Sequence, residues 1–463
     1  MSEPCSFSGQ RDLTRGNMLK TLISFSLPFL AANLLQALYG AVDLWVVGKF
    51  GGGKAGVAAV ANGGEVMHLV MSFIMGLTTG ATVLIGQFYG AEDKRNTRKS
   101  VGMTLNFSLA TGIAGTVIMV LLTPWMVRAL NTPAGALVPA LEYLKICSYG
   151  VIFVVIFNAF AAIFRGFGNS TIPLVCIGIA CLFNIAADIL LVAVFDMGVR
   201  GAAIATIASQ ALSVIISFIF FIRGNFGFRF TKANFIIVWS LVGKYVRVGI
   251  PIGIQSILIN ISFLFIVSIV NKMGGDNPAM AAGYGIVNRI NGFTMLPAIS
   301  FAMAMSALTA QNIGAGKYDR AISTLKTAVF FTLSLGAVFL ILMQTAPEFF
   351  ISLFIDRAGD GADEVIRQGA VYARSFSWEY ILVPVVFCTN GFFIGSGHSF
   401  FSMANNVACT FLVRVPVSYF ASLMAGATLF HIGLAAPLAS FTSNIAALIF
   451  LFSGRWKKKI SGK

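Results

Sequence analysis

Residues 22–52 read LISFSLPFLAANLLQALYGAVDLWVVGKFGG, an apolar run that, at about 1.5 Å per helical residue, crosses a hydrocarbon core of roughly 30 Å with room for tilt. It is not a passive span. Pro28 lacks an amide hydrogen and can kink a helix. Asn33, Gln36, Gly40 and Asp43 recur at offsets of three, four and three, which place them on one helix face. A carboxylate at the centre of a membrane helix costs roughly 2.5–3.5 kcal/mol on insertion scales, so it normally faces a cavity or the bundle interior. Asp43 lies nearer the far end of the run, where headgroup water offers a competing explanation. A second polar pair, further along the chain, favours the cavity.

The surrounding chain is solvated mainly by lipid. Of 463 residues, 57% are hydrophobic and 11% charged, against about 25% charged in a soluble domain, and the mean hydropathy is +0.86. The net charge of +15 is scattered between apolar runs and forms no nucleic-acid patch. Six cysteines without CxxC spacing argue against a disulfide framework and a zinc site. No cofactor or metal centre is expected.

Apolar segments fall near 22–48, 56–86, 101–124, 143–164, 171–195, 198–222, 246–270, 280–310, 326–346, 372–394, 401–424 and 430–453. The sequence therefore predicts an all-α polytopic membrane protein with twelve transmembrane helices. Connections sharing a side with the termini carry 21 basic residues, among them Lys94, Arg95, Arg98, Lys99, Lys317 and Arg320, whereas the opposite side carries 8. The positive-inside rule then places both termini in the cytoplasm of a cell-membrane protein. The longest connection, with its FIIVW stretch, reads as an interfacial helix between basic anchors.

The chain also repeats itself. QFYGAEDKRNTRKS from Gln87 resembles QNIGAGKYDRAIST from Gln311, 224 residues on. Pro28 and the Gly51-Gly52 pair match Pro251 and the Gly274-Gly275 pair 223 residues on, and FRGFGNS from Phe164 matches FIGSGHS from Phe393. Two six-helix bundles follow, residues 1–222 and 246–463, joined by a linker at 223–245. Six spans per half make the repeat parallel, an arrangement of transporters whose substrate sits between the halves.

The halves differ where chemistry is concerned, because Ile266 occupies the position matching Asp43. In the fifth span, CLFNIAADILLVAVF, Asn184 and Asp188 are four apart and share a face; the sixth span adds Thr206 behind a run of small residues. Two carboxylates, an amide and a hydroxyl can share a proton or hold Na⁺, a hard cation that prefers oxygen ligands. Composition leaves both open, with H⁺ the first choice.

These motifs together resemble the multidrug and toxic compound extrusion (MATE) family along essentially the whole chain: Pro28 and Asp43-x-x-x-x-Gly48 in span one, QxxGA after spans two and eight, FRGxGNS before span five, and GxxGAAxAT in span six. The likeness is greatest to the branch typified by DNA-damage-inducible protein F. The resemblance implies an antiporter that expels cationic or amphipathic drugs by alternating access. It also implies a coupling site at Asp43, Asn184, Asp188 and Thr206, and a bending first span. Pro28, Asn33, Gln36, Tyr39, Gly40 and Gln255 are the candidate cavity and gating residues, Gln255 standing in span seven where the other bacterial branch carries an acid.

Glu379 in span ten is read as a local ion pair with Arg374, and Arg289 and Arg414 have no assigned partner. Met71, Met75, Met295 and Met303 are candidates for an adaptable apolar cavity wall. The partners expected are small molecules and lipid, and the chain is expected to act as a monomer. The rival readings are a flippase for lipid-linked precursors, an intramembrane enzyme and a receptor. The enzyme reading lacks HExxH and GxSxG motifs.

Overall fold

The computed structural model describes residues 11–129, 134–224, 226, 238–275, 277–355 and 361–457. Helix α1 (Met18–Phe50) opens on Asn17, whose side chain accepts from the Lys20 amide, and runs unbroken through Pro28. It is followed by α2 (Gly53–Gly90), α3 (Lys94–Ala129), α4 (Ala134–Tyr149), α5 (Val151–Gly166), α6 (Thr171–Asp188, continued as a π-helix over Ile189–Val194) and α7 (Gly198–Arg223). The second half begins with α8 (Trp239–Gly274), α9 (Pro278–Thr294), α10 (Leu296–Gly314) and α11 (Tyr318–Thr345). It ends with α12 (Pro347–Ser352), α13 (Ala362–Phe376), α14 (Glu379–Gly395), α15 (Ser399–Cys409, then π-helical over Thr410–Arg414), α16 (Val415–Ser422), α17 (Leu429–Gly433) and α18 (Ala435–Phe452).

Among the described residues, nine helical segments are long and apolar enough to cross a membrane. Three bent pairs raise the count to the expected twelve: α4 with α5 at 45°, α9 with α10 at 41°, and α13 with α14 at 52°. The α9–α10 break sits beside Pro297, which withholds an amide from the helical ladder. Sequence boundaries were short at both key helices, since α1 starts at Met18 and α8 at Trp239. Most of the connection read as an interfacial helix, together with the basic residues from Lys458 onward, lies outside the described residues.

Among the described residues the two halves pack together chiefly toward one end of the helix bundle. There the second half of α2 packs against the first half of α8 and against α10. Glycine permits this approach: a Cβ on Gly76 would stand 2.5 Å from the Gly253 nitrogen. The contact is reciprocal, as the duplication requires. A Cβ on Gly90 would collide with the Gln311 carbonyl, and one on Gly314 with the Gln87 carbonyl. Gln87 Nε2 donates to the Gly395 carbonyl at 3.0 Å, and its counterpart Gln311 donates to the Gly166 carbonyl at 2.9 Å. Each repeat thus caps the matching loop of the other with a fully buried amide.

Residues 11–17 tie the same end shut. The Arg11 amide donates to the Phe167 carbonyl at 2.8 Å, in the first half, while the Leu13 amide donates to Gln311 Oε1 at 3.0 Å, in the second. Lys317 Nζ donates to the Thr14 carbonyl at 2.9 Å. Burial opposes the charge on Asp12, yet two bonds from Thr14, with Arg15 and Lys317 nearby, hold its carboxyl below the usual range. It remains an acceptor at any working pH. Toward the other end, α9 packs on α8, α10, α12 and α13 of its own half, and a cleft separates it from the first half.

Overpacking a close helix contact costs about 1–3 kcal/mol. Gly90→Ala and Gly314→Ala should therefore each lower the melting temperature of the purified protein, whereas Gly243→Ala, where a Cβ meets nothing within 4 Å, should leave it unchanged or slightly raised. Equal melting of all three variants would show that the glycine contact does not hold this end closed.

Candidate functional site

Asp43 lies seven residues before the end of α1, and Asp188 is the last α-helical residue of α6 before the π-helical turn. A π-segment rotates the helix face that follows it, and such segments gather at functional sites. Asp188 stands immediately before such a segment and is directed at α1. The two carboxyls face each other within hydrogen-bonding reach. They are 5% and 0% exposed, so bulk water does not screen them.

Carboxylate oxygens only accept hydrogen bonds, so two of them in contact need a proton or a metal cation between them. Both oxygens of Asp188, Oδ1 of Asp43 and both side-chain polar atoms of Asn184 are buried without a hydrogen-bond partner among the described residues. This orphaned oxygen-rich set fits a small hard cation. Tyr39 places its hydroxyl within reach of Thr206 and near both acids. Thr206 spends its own proton on the Ala202 carbonyl at 3.0 Å, leaving its lone pairs free to accept.

Asp43 borders open space, while Asp188 is fully buried. A cavity of about 470 Å³ is lined by Tyr39, Gly40, Asp43 and Thr206 of the first half and by Arg289 of the second. A neighbouring cavity of about 230 Å³ shares Tyr39, His68, Met71 and Gln210 with it and reaches Asn184 and Gln36. A third, of about 60 Å³, continues inward past Pro28, Asn33 and Gln36 to Met303. Asn33 Nδ2 donates to Ser300 Oγ of α10 at 3.2 Å, so the first span touches the second half at this depth.

Four of the expected residues, Asp43, Asn184, Asp188 and Thr206, are thus neighbours. Pro28, Asn33, Gln36, Tyr39 and Gly40 line the adjoining cavities, as do Met71, Met75 and Met303. Gln255 does not line them; it stands two residues beyond Gly253 in the helix that packs on α2. Met295 borders a small separate cavity in the second half. Ile266, the counterpart of Asp43, is buried in an apolar cluster with Val270 and Tyr284.

One sequence reading is corrected. Arg374 pairs with Glu348 at 2.8 Å, not with Glu379. Glu379 is 6% exposed and accepts from Ser440 Oγ at 2.6 Å. The 52° bend between α13 and α14 separates the two side chains. Arg414 lies over the Phe263 ring at 4.3 Å, a cation–π contact.

Sequence reasoning missed Glu65, His68, Tyr143, Cys147 and Gln210, all of which line the cavity of about 470 Å³. Glu65 carried the same signal as Asp43, a carboxylate inside an apolar run. Tyr143 and Cys147, four apart on α4, carry none.

Such a fold, with duplicated halves closed at one end around a central cleft, is that of a multi-pass membrane transporter. The MatE family profile matches residues 28–190 and 251–420, one segment in each half, and the chain belongs to the MATE family. It is 28% identical over 452 residues to the probable multidrug resistance protein YpnP of Bacillus subtilis, covering 96% of this chain and 97% of that one. It is 26% identical to the probable multidrug resistance protein YoeA of the same organism, covering 96% of each. Its fold is also that of a multidrug resistance MATE family transporter of the MOP superfamily in an outward-facing conformation, with TM-score 0.89, 20% identity and coverage of 99% and 100%.

A ligand that binds only the folded state stabilises it, by about 2.7 kcal/mol at a hundredfold excess over Kd. Raising Na⁺ at alkaline pH, or lowering pH without Na⁺, should raise the melting temperature of the wild type through whichever cation the pair holds. Asp188→Asn should abolish that rise, and a rise of undiminished size in this variant would exclude the pair as the binding site.

Proposed function

We propose that this chain is a secondary active exporter of cationic or amphipathic compounds, driven by entry of H⁺ or Na⁺ through the first half. The observation that carries the reading is the buried contact between Asp43 and Asp188 on two different helices, beside a cleft that reaches the second half. Loading a cation between them favours one packing of α1 on α6; losing it favours another. Because α1 also lines the inner cavities and touches α10, its position sets which space a substrate can occupy.

The basic side of the molecule is its closed end, where Lys94, Arg98, Lys317 and Arg320 lie. With that side in the cytoplasm, the cleft faces outward, in a state ready to release substrate and accept a cation. The relatives named for multidrug resistance support the substrate class. Two acids, Asp43 and Glu65, share the cavity of about 470 Å³ with one arginine, a balance poorly suited to the pyrophosphate of a lipid-linked precursor.

The test is efflux of a fluorescent cation from proteoliposomes with a pH gradient or a Na⁺ gradient imposed separately. One gradient should drive efflux by the wild type, and Asp43→Asn should reduce it by tenfold or more. Efflux that ignores both gradients, or that survives this substitution, would contradict the reading.

A further inference from the structure

Glu65 and Arg289 are the same position of the duplicated helix. The second and eighth spans align without a gap from Lys54 and Pro278 to Gly90 and Gly314, so Arg289, 224 residues after Glu65, is its counterpart just as Gln311 is the counterpart of Gln87. At the closed end the repeat keeps its chemistry, glutamine for glutamine and glycine for glycine. Here it inverts the sign of the charge.

Both side chains line the one cavity of about 470 Å³, Glu65 from α2 and Arg289 from α9. Each is exposed within the cleft. Glu65 is twelve residues from the start of α2 and Arg289 eleven from the start of α9, so both lie about 16–18 Å into the span. An open cleft gives Arg289 access to water, which lowers the cost of a charge inside a spanning segment. Among the described residues neither side chain takes part in an ion pair; the four pairs present are all elsewhere. The cleft therefore presents a free carboxylate on one wall and a free guanidinium on the other, with Met67, His68 and Met71 also in its lining.

We infer that the cleft selects zwitterionic amphiphiles, compounds with a cationic and an anionic group on one apolar body, with Glu65 receiving the cation and Arg289 the anion. The inference rests on the export reading above and narrows its substrate class. A guanidinium offers paired donors to a carboxylate, and such charge-assisted bonds are the strong ones. A purely cationic compound satisfies Glu65 but leaves Arg289 facing like charge.

The test uses tetramethylrhodamine, a zwitterion through its free carboxylate, and its methyl ester, a cation of nearly the same size. Binding to the full-length protein in nanodiscs is read by fluorescence anisotropy, with empty nanodiscs as the control, and the quantity compared is the ratio of the two dissociation constants, acid over ester. Arg289→Gln should raise that ratio about tenfold, the lower end for loss of one charge-assisted hydrogen bond. Arg289→Lys should hold it near the wild-type value. Exchange of the two charges, Glu65→Arg with Arg289→Glu, should bring it back toward that value from the level of Arg289→Glu alone. A ratio that is the same in the wild type and Arg289→Gln overturns the inference, even if the exchanged variant fails to fold. Gradient-driven efflux of the ester by the wild type is measured alongside: efflux with an unresponsive ratio sinks this inference alone, and a responsive ratio without efflux sinks the export reading alone.

Discussion

Two acidic side chains pressed together away from water cannot both remain charged unless a cation joins them. In this protein Asp43 and Asp188 are in that position, on two helices that pack against one another. Like charges a few ångströms apart repel strongly in a medium of low dielectric. A proton or a sodium ion turns that repulsion into attraction. In the proposed mechanism the pair makes the packing of α1 on α6 depend on a cation, and the element through which such a dependence would act is an unbroken 33-residue first helix that lines all three adjoining cavities.

Duplication explains the scaffold, and departures from duplication explain the chemistry. The closed end is held by reciprocal contacts, Gln87 to Gly395 and Gln311 to Gly166, with glycines at the crossing points. Both halves also carry a π-helical turn in corresponding helices, after Asp188 and up to Arg414. Against this regular frame the two halves part at few positions, and those matter. Ile266 replaces Asp43 and is packed into apolar core; Arg289 replaces Glu65 and faces the cleft. One half holds a buried pair of acids where the other holds only packing.

Much of this was legible before any coordinates. Twelve spans followed from hydropathy, the parallel repeat from Gln87 and Gln311, and the faces of Asp43, Asn184 and Asp188 from helical spacing. What spacing does not reveal is which neighbour a face meets. Glu379 lies five residues from Arg374, close in sequence but not on one helix face, and the break at Ser377 and Trp378 turns them further apart. Gln255 shares a helix with apolar packing residues and is drawn to the closed end by Gly253, a contact no local pattern announces. The tie formed by residues 11–17 depends on backbone amides, which carry no sequence signature. Glu65 was legible by the rule that exposed Asp43, but that it shares a cavity with Arg289 of the other half is not written in local spacing.

The most direct measurement is a double-mutant cycle on cation-driven efflux with Asp43→Asn, Asp188→Asn and the variant carrying both. Side chains that hold one cation jointly act as a unit, and removing the second costs little once the first is gone. The account predicts that each single variant loses nearly as much rate as the pair. Losses that multiply, so that the double variant falls by the product of the two single effects, would show two independent sites and contradict it.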